Sequence, residues 1–96
     1  MDDQKVYWKD KIDYITVNTI NHNIVIHFLR PSIPTKTYKN VPWGDCVMIR
    51  TILADTSDMV YDTHDYTEFY HGVTPEIYNQ IFDKYLIKHE RSVIYE

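Results

Sequence analysis

The chain has 96 residues, a formal net charge of −4 at pH 7 and a single cysteine, Cys46. This length corresponds to one small domain over residues 1–96, and 44% hydrophobic residues with 15% aromatics are enough for a core, which argues against intrinsic disorder. One cysteine excludes an intramolecular disulfide, and the acidic balance argues against a basic face that binds nucleic acid directly.

The first residues contain neither the basic leader nor the apolar run of a secretory signal peptide. The apolar runs elsewhere are too short to span a membrane. We therefore expect a cytoplasmic protein in a reducing environment, in which Cys46 is a small buried hydrophobic residue and not a reactive thiol.

Several short segments have the β-branched and aromatic residues and the alternation that favour strands. Within residues 12–17, the alternation places Ile12, Tyr14 and Thr16 on one face. The turn-like residues 21–23 before the next segment predict an antiparallel hairpin. The predicted strands are residues 6–8, 12–17, 24–29, 35–39, 59–61, 66–70 and 92–95.

Two other segments predict helices. Over residues 45–54 the apolar side chains recur at helical spacing, and Asp45 near the start complements the helix dipole. The Thr-Pro-Glu sequence at residues 74–76 suits an N-cap, a first helical position and a first turn, so a second helix is predicted over residues 75–89. The order of elements predicts an α+β fold, a mostly antiparallel sheet of about four to six strands with both helices on one face.

The negative charge is concentrated in residues 51–83, which contain seven carboxylates and no Lys or Arg, hence a formal charge of −7. Tyrosines lie between these carboxylates. We interpret the pattern as an acidic surface that faces a basic protein, because complementary charge speeds encounter and Tyr rings make good desolvated anchors. Such carboxylates can also occupy a groove that evolved for nucleic acid. The predicted partner-binding residues are Asp55, Asp58, Asp62, Asp65, Glu68, Tyr61, Tyr66 and Tyr70.

A second interpretation of the same segment is that its carboxylates only solubilise the outside of a helix and its loops. The two interpretations differ in what surrounds the side chains. Burial of the segment would contradict a binding surface, since a carboxylate that points inward must be paired.

The sequence contains no catalytic signature. Its two glycines are too few for a Gly-rich phosphate loop, and its serines lack the glycine context of a hydrolase nucleophile. Aspartates are numerous, but their spacing pairs no two of them for acid–base work. We therefore expect no catalytic residues, no cofactor and no resident metal ion.

Two other functions stay open. One is a small-molecule or nucleotide-binding pocket, between the sheet and the helices or between subunits, lined by Tyr38, Trp43 and His27. The other is a small metal-dependent hydrolase, although no recognised metal motif is present. Its ligands would be His64, Asp65 and His71. Unpaired sheet edges also allow a homodimer.

The sequence Tyr38-x-x-Val41-Pro42, followed by a helix and by Ala54-x-x-Ser57, resembles the short KTSC domain. In that family a strand runs into a Val-Pro corner and a helix that ends near a turn of small residues. The resemblance covers residues 24–62 and implies a small binding domain. The Lys-Thr-Ser-Cys residues that give the family its name have no counterpart here.

In overall style the chain also resembles phage-encoded inhibitors of host defence or transcription, which are small, acidic, rich in Tyr and without a catalytic signature. The sequence thus predicts a non-catalytic inhibitor or adaptor. We expect its partner to be a basic protein, a nucleic-acid-handling enzyme or regulator, and we expect no direct binding of nucleic acid or membrane.

Overall fold

The computed structural model describes residues 11–95, which form a six-stranded antiparallel sheet with two helices on one of its faces. The strands are β1 (Ile12–Asn18), β2 (Ile24–Phe28), β3 (Lys36–Tyr38), β4 (Asp58–Asp62), β5 (Thr67–His71) and β6 (Ile94–Tyr95). The helices are α1 (Trp43–Thr56), between β3 and β4, and α2 (Pro75–Ile81), after β5. The predicted α+β class is confirmed. The strand predicted at residues 6–8 lies outside the described residues.

The strands are arranged in the order β4-β5-β1-β2-β3-β6, so that β1 lies inside the sheet and pairs with β5 and β2. The β1–β2 hairpin has the predicted turn, in which His22 takes a positive φ of 61°. The side-chain oxygen of Asn18 accepts hydrogen bonds from the backbone N–H groups of Ile20 and Asn21 and so holds this turn. Among the described strands, β4 and β6 are the two edges.

The face of the sheet beneath the helices is buried and apolar. Ile15 of β1 lies opposite Ile26 of β2 on this face. The β1–β2 register shifts between Ile12 and Tyr14, which is a β-bulge, and Ile12 consequently joins the buried face. The prediction that Ile12 and Tyr14 share a face is wrong, because the extra residue reverses the alternation.

Helix α1 packs on this face through Cys46, Ile49 and Leu53, which are all buried. These positions are three and four residues apart and form one stripe of the helix. Burial raises the pKa of the Cys46 thiol, as expected for its predicted role as a small hydrophobic residue. Met48 of the same helix is exposed.

The second helical segment is capped at its start and forms an ion pair with α1 near its end. Thr74 caps α2 as predicted, since its hydroxyl accepts a hydrogen bond from the N–H of Ile77 at 3.2 Å. Farther along, the ammonium of Lys88 lies 2.9 Å from the carboxylate of Asp45 in the first turn of α1. Over residues 11–95, no helix is long and apolar enough to cross a membrane.

The segment predicted as one helix over residues 75–89 changes its winding. Helix α2 ends at Ile81, and a π-helical turn (Phe82–Leu86) and a 3-10 segment (Ile87–Ser92) follow. The buried positions 78, 81 and 86 are three and five residues apart. In a regular α-helix, Leu86 would point away from the core. The wider π-helical turn places it on the buried face instead.

Candidate functional site

Strand β4 forms one edge of the described sheet and is its most exposed strand. It pairs with β5 on one side. Within residues 11–95, no strand occupies the other side of β4. Alternate residues of an edge strand direct their N–H and C=O groups away from the sheet, so these groups are available to another strand.

The middle of β4 exposes three apolar side chains. Met59, Val60 and Tyr61 are 45%, 59% and 42% exposed. The pairing with β5 places Met59 and Tyr61 on the face that the helices cover, and Val60 on the opposite, open face. An exposed apolar run on an unpaired edge invites contact with another chain.

Four of the predicted carboxylates surround this apolar run. Asp58 and Asp62 are the two ends of β4, Asp65 lies in the turn to β5, and Asp55 lies in the last turn of α1. No Lys or Arg among the described residues forms an ion pair with any of them. Asp55 also adds its charge to the negative end of the helix dipole, which raises the negative potential at this edge.

The turn between β4 and β5, residues 63–66, is fixed to the end of β1. The backbone oxygen of Tyr66 accepts hydrogen bonds from the N–H and the hydroxyl of Thr19, at 2.8 and 2.9 Å. The side-chain amide of Asn18 donates to the backbone oxygen of Asp65 at 3.2 Å. These hydrogen bonds fix the backbone of the turn, and the ring of Tyr66 on it is exposed. We call β4 together with Asp55, Asp65 and Tyr66 the acidic edge.

Two of the predicted partner-binding residues do not lie on this surface. Glu68 is 7% exposed and Tyr70 is 1% exposed, both on the face of β5 that turns toward α1. The carboxylate of Glu68 accepts hydrogen bonds from the Arg50 guanidinium at 2.8 and 2.7 Å, and from the Tyr70 hydroxyl at 2.6 Å. The prediction that Glu68 and Tyr70 are surface residues is wrong, because both belong to this buried network.

In the network of Arg50, Glu68 and Tyr70, burial and pairing have opposite effects on the pKa of Glu68. Burial alone would raise the pKa of Glu68, but the hydrogen bonds from Arg50 and Tyr70 hold it below its ordinary value. Burial and the Glu68 carboxylate raise the pKa of Tyr70. The network is therefore a charged pair with a neutral tyrosine, and it connects α1 to β5.

A groove of about 260 Å³ lies between α1 and β4, next to this network. Its lining residues are Val47, Arg50, Thr51, Ala54, Met59, Glu68 and Tyr70. Since Arg50 and Glu68 already pair with each other, the groove offers mainly apolar contacts to a side chain that enters it. Met59 belongs both to the groove and to the edge, so the two features are continuous.

The three residues of the predicted ligand pocket lie apart within one copy of the chain. Tyr38 is buried on the face of the sheet beneath the helices, where it lies opposite Ile24. His27 lies on the other face, where its ring stacks on Tyr14 with centroids 4.2 Å apart. Trp43 is exposed at the start of α1. The three side chains cannot line one cavity, because the sheet itself separates Tyr38 from His27.

The predicted metal ligands are also not brought together. His64 and Asp65 lie in the turn before β5, whereas His71 is its last residue. The length of a five-residue strand is about 13 Å, too far for a common ion. Within the described part of the chain, no three His, Cys, Asp or Glu residues are placed to hold a metal ion.

A polar cluster around the buried Lys36, near the β6 edge of the sheet, was not predicted. Lys36 is 3% exposed, and its ammonium lies 3.1 Å from the Tyr78 hydroxyl and 3.5 Å from the Glu90 carboxylate. The hydroxyls of Tyr38 and Tyr95 donate to Glu90 at 3.0 and 2.9 Å. We call these five residues the Lys36 cluster. It joins β3 and β6 to the helical segments that precede β6.

Aromatic rings enclose the cation of the Lys36 cluster. Its ammonium lies 5.3 to 5.7 Å from four ring centroids, which is the range of cation–π attraction. Burial lowers the pKa of Lys36, against the opposing effect of Glu90. Burial and the hydrogen bond to Glu90 raise the pKa of Tyr95 to about 12. An ammonium so enclosed is a structural element, and it is inaccessible to a substrate.

No protein-family model matches the chain, and no curated protein or solved structure matches it either. The likeness of residues 24–62 to the KTSC domain thus stays a resemblance of short motifs. The acidic edge and the groove beside it are the features from which we infer function.

Proposed function

We propose that this protein is a non-catalytic inhibitor or adaptor that binds a basic protein through the acidic edge. One observation supports this most strongly: β4 exposes Met59, Val60 and Tyr61 on an edge with which no other strand of residues 11–95 pairs, between four carboxylates. The apolar side chains supply area that a partner can desolvate, and the carboxylates supply orientation and encounter rate.

The charge of the acidic edge selects the partner. Residues 51–83 contain no Lys or Arg, so a cationic partner meets no positive side chain of this segment. Contact also breaks no ion pair of these carboxylates within the described residues. An acidic partner would be repelled at the same distance. The partner therefore presents Lys or Arg side chains at its contact surface.

Surfaces of Lys and Arg are what proteins use to bind nucleic acid. A nucleic-acid-handling enzyme or regulator is therefore the class of partner that we propose. A protein that covers such a surface competes with the nucleic acid for it. Competition of this kind inhibits the partner without any catalytic residue in the inhibitor. Tyr61 and Tyr66 are the exposed aromatic anchors of the proposed contact.

The test begins with affinity capture from a lysate of the cells that produce the protein, with elution in steps of increasing salt. The eluted protein is identified and purified, and its affinity is measured by titration calorimetry for the wild type and for Asp58→Lys/Asp62→Lys/Asp65→Lys. We expect the triple variant to bind more than about tenfold more weakly, because three attractive charges become repulsive. Wild-type affinity should fall as salt rises.

A control variant reverses two charges elsewhere on the surface. Asp13 and Glu76 are exposed and lie outside the acidic edge, so Asp13→Lys/Glu76→Lys should bind as the wild type does. Circular dichroism shows whether each variant is folded. Unchanged affinity in the folded triple variant would contradict the proposal. An equal loss in the control variant would mean that net charge, and not this edge, decides binding.

A further inference from the structure

We propose that β4 binds its partner as an added strand: an extended five-residue segment with Lys or Arg at both ends and apolar residues between them. This inference rests on the proposed function and specifies the shape of the partner. The outer backbone of β4, which no strand of the described residues covers, is the binding feature together with exposed Met59, Val60 and Tyr61. The carboxylates decide what occupies it.

The two faces of β4 differ, and a partner strand must match both. Directly opposed residues of neighbouring strands share a face. Asp58, Val60 and Asp62 lie on the open face, and Met59 and Tyr61 lie on the helix face. In a strand added beside β4, the first, third and fifth side chains therefore lie next to Asp58, Val60 and Asp62. The second and fourth side chains lie next to Met59 and Tyr61.

On the open face, the charges lie at the ends. Asp58 and Asp62 are four residues apart, which is about 13 Å along a strand. Lys or Arg at the first and fifth positions of the partner would each lie opposite one carboxylate. Opposite charges in directly opposed positions stabilise a strand pair, and Val60 between them favours an apolar third residue.

On the helix face, the groove between α1 and β4 receives an apolar side chain. A partner residue opposite Met59 points toward this groove, where Val47, Thr51 and Ala54 supply contacts. A cation gains little here, because the Glu68 carboxylate that borders the groove already pairs with the Arg50 guanidinium. The helix face therefore selects apolar residues at the second and fourth positions, whereas the open face selects cations at the ends.

The same charges argue against a second copy of this chain as the occupant. An antiparallel pair of two β4 strands centred on Val60 would place Asp58 of one copy opposite Asp62 of the other. Each such contact joins two like charges, which destabilises the pair. Asp55 and Asp65 add further negative charge at both ends. A basic strand gains attraction at each position where a second copy meets repulsion.

The test uses short capped peptides and amide spectra of the ¹⁵N-labelled protein. The probe has the core Lys-Val-Ile-Leu-Lys. Its control, Val-Lys-Leu-Lys-Ile, has the same composition and charge but turns both Lys residues to the helix face. We expect the probe to shift the β4 amides and slow their hydrogen exchange, and the control to bind about tenfold more weakly.

Backbone methylation separates strand addition from attraction between charges. Two further probes carry N-methyl groups on the odd or on the even residues of the core. Since only alternate N–H groups of an added strand face β4, one methylated probe should lose binding and the other should keep it. Asp58→Lys/Asp62→Lys should weaken the unmodified probe about tenfold, and Asp13→Lys/Glu76→Lys should not.

Other results would overturn the inference in distinguishable ways. If all four peptides bind alike and all weaken with charge reversal, the acidic edge binds cations, as the proposed function requires, but not as a strand. If none shifts the β4 amides at millimolar concentration, strand addition is wrong, and the captured partner alone then decides the proposed function. Exchange protection of β4 that grows with protein concentration would show that a second copy occupies the edge.

Discussion

Strands β4 and β6 lie at opposite edges of the described sheet, and they differ in length, exposure and charge. Strand β6 has two residues and pairs with β3, whose Lys36 points inward. Strand β4 has five residues, four of them exposed, and carboxylates at both ends. Short edge strands and inward-pointing charges prevent pairing with another chain by geometry, and exposed charges prevent it only by repulsion.

The difference between the edges has a consequence for binding. The β6 edge is closed to any incoming strand, because too few backbone groups remain there and the Lys36 cluster holds the segment in place. We propose that the β4 edge excludes only strands without positive charge. In the proposed function, a protection that depends on charge becomes an attraction when the incoming chain is basic, so the same four carboxylates would give the contact its selectivity.

The largest loss of stability is expected from a variant that disrupts the Lys36 cluster, near the β6 edge. Glu90→Gln removes the carboxylate 3.5 Å from the buried Lys36 ammonium. Removal of one partner of a buried ion pair costs about 3–5 kcal/mol. Because the Glu90 side chain is 37% exposed, water replaces part of the lost interaction, and we expect a loss of about 2 kcal/mol in the free energy of unfolding, measured by urea denaturation.

Two variants make the Glu90 measurement decisive. Glu76 is exposed in the first turn of α2, so Glu76→Gln should change the free energy of unfolding by no more than about 0.5 kcal/mol. In Lys36→Met/Glu90→Gln no buried charge remains at this site, and part of the loss should be recovered. Wild-type stability in Glu90→Gln would show that the Lys36 cluster does not hold the β6 side.

A smaller effect is expected from Glu68, which ties the β4 side of the sheet to α1. Its pKa in the folded protein lies below the ordinary value of 4.5, so its contribution is complete above that pH. As the pH falls, the unfolded chain binds the proton first, and the free energy of unfolding decreases. Glu68→Gln should lower the free energy of unfolding by about 1–2 kcal/mol at pH 7. In acid, that free energy should decrease less for the variant than for the wild type, as measured by urea denaturation from pH 7 to pH 3.

Tyr70→Phe is the comparison for that experiment. It removes one hydrogen bond to Glu68 and keeps the Arg50 pair, so it should cost less at pH 7 and retain most of the acid dependence. If the free energy of unfolding of Glu68→Gln instead decreases in acid as steeply as that of the wild type, the pair of Glu68 with Arg50 is not a source of acid lability. Other carboxylates, such as Asp45, must then be its source. The pKa of Asp45 is lowered by Lys88.

Local signals in the sequence were enough to predict the elements of the fold, and their limits are physical. Alternation of period two places Glu68 and Tyr70 on one face of a strand, but it does not say whether a helix covers that face. Arg50, which decides the matter, lies 18 residues earlier. The edge position of β4 was likewise not predictable, because it depends on where β5 pairs with β1.

The Lys36 cluster shows a second limit of the sequence. Its residues come from β3, α2, the 3-10 segment and β6, and the members of its ion pair, Lys36 and Glu90, are 54 positions apart in the sequence. Each of them has an ordinary role by itself, a surface lysine or a core tyrosine. In contrast, the acids and apolar residues of the acidic edge adjoin in Asp-Met-Val-Tyr-Asp, so most of that candidate surface was found from the sequence.

The smallest effect on folding, and the sharpest test of the comparison, is expected from Asp58→Asn/Asp62→Asn. Both side chains lie at the ends of β4 and pair with no Lys or Arg of the described chain, so the free energy of unfolding should change by no more than about 0.5 kcal/mol. Two antiparallel copies of β4 would then oppose amides in place of carboxylates. We expect concentration-dependent dimers in sedimentation velocity.

Asp13→Asn/Glu76→Gln removes the same number of charges away from the acidic edge and should sediment as the wild type does. A dimer in this control as well would mean that total charge keeps the protein apart. A monomer in both variants would mean that β4 is protected by something other than its carboxylates. A dimer only in Asp58→Asn/Asp62→Asn shows that this edge can pair once repulsion is removed, which a basic strand achieves without any substitution.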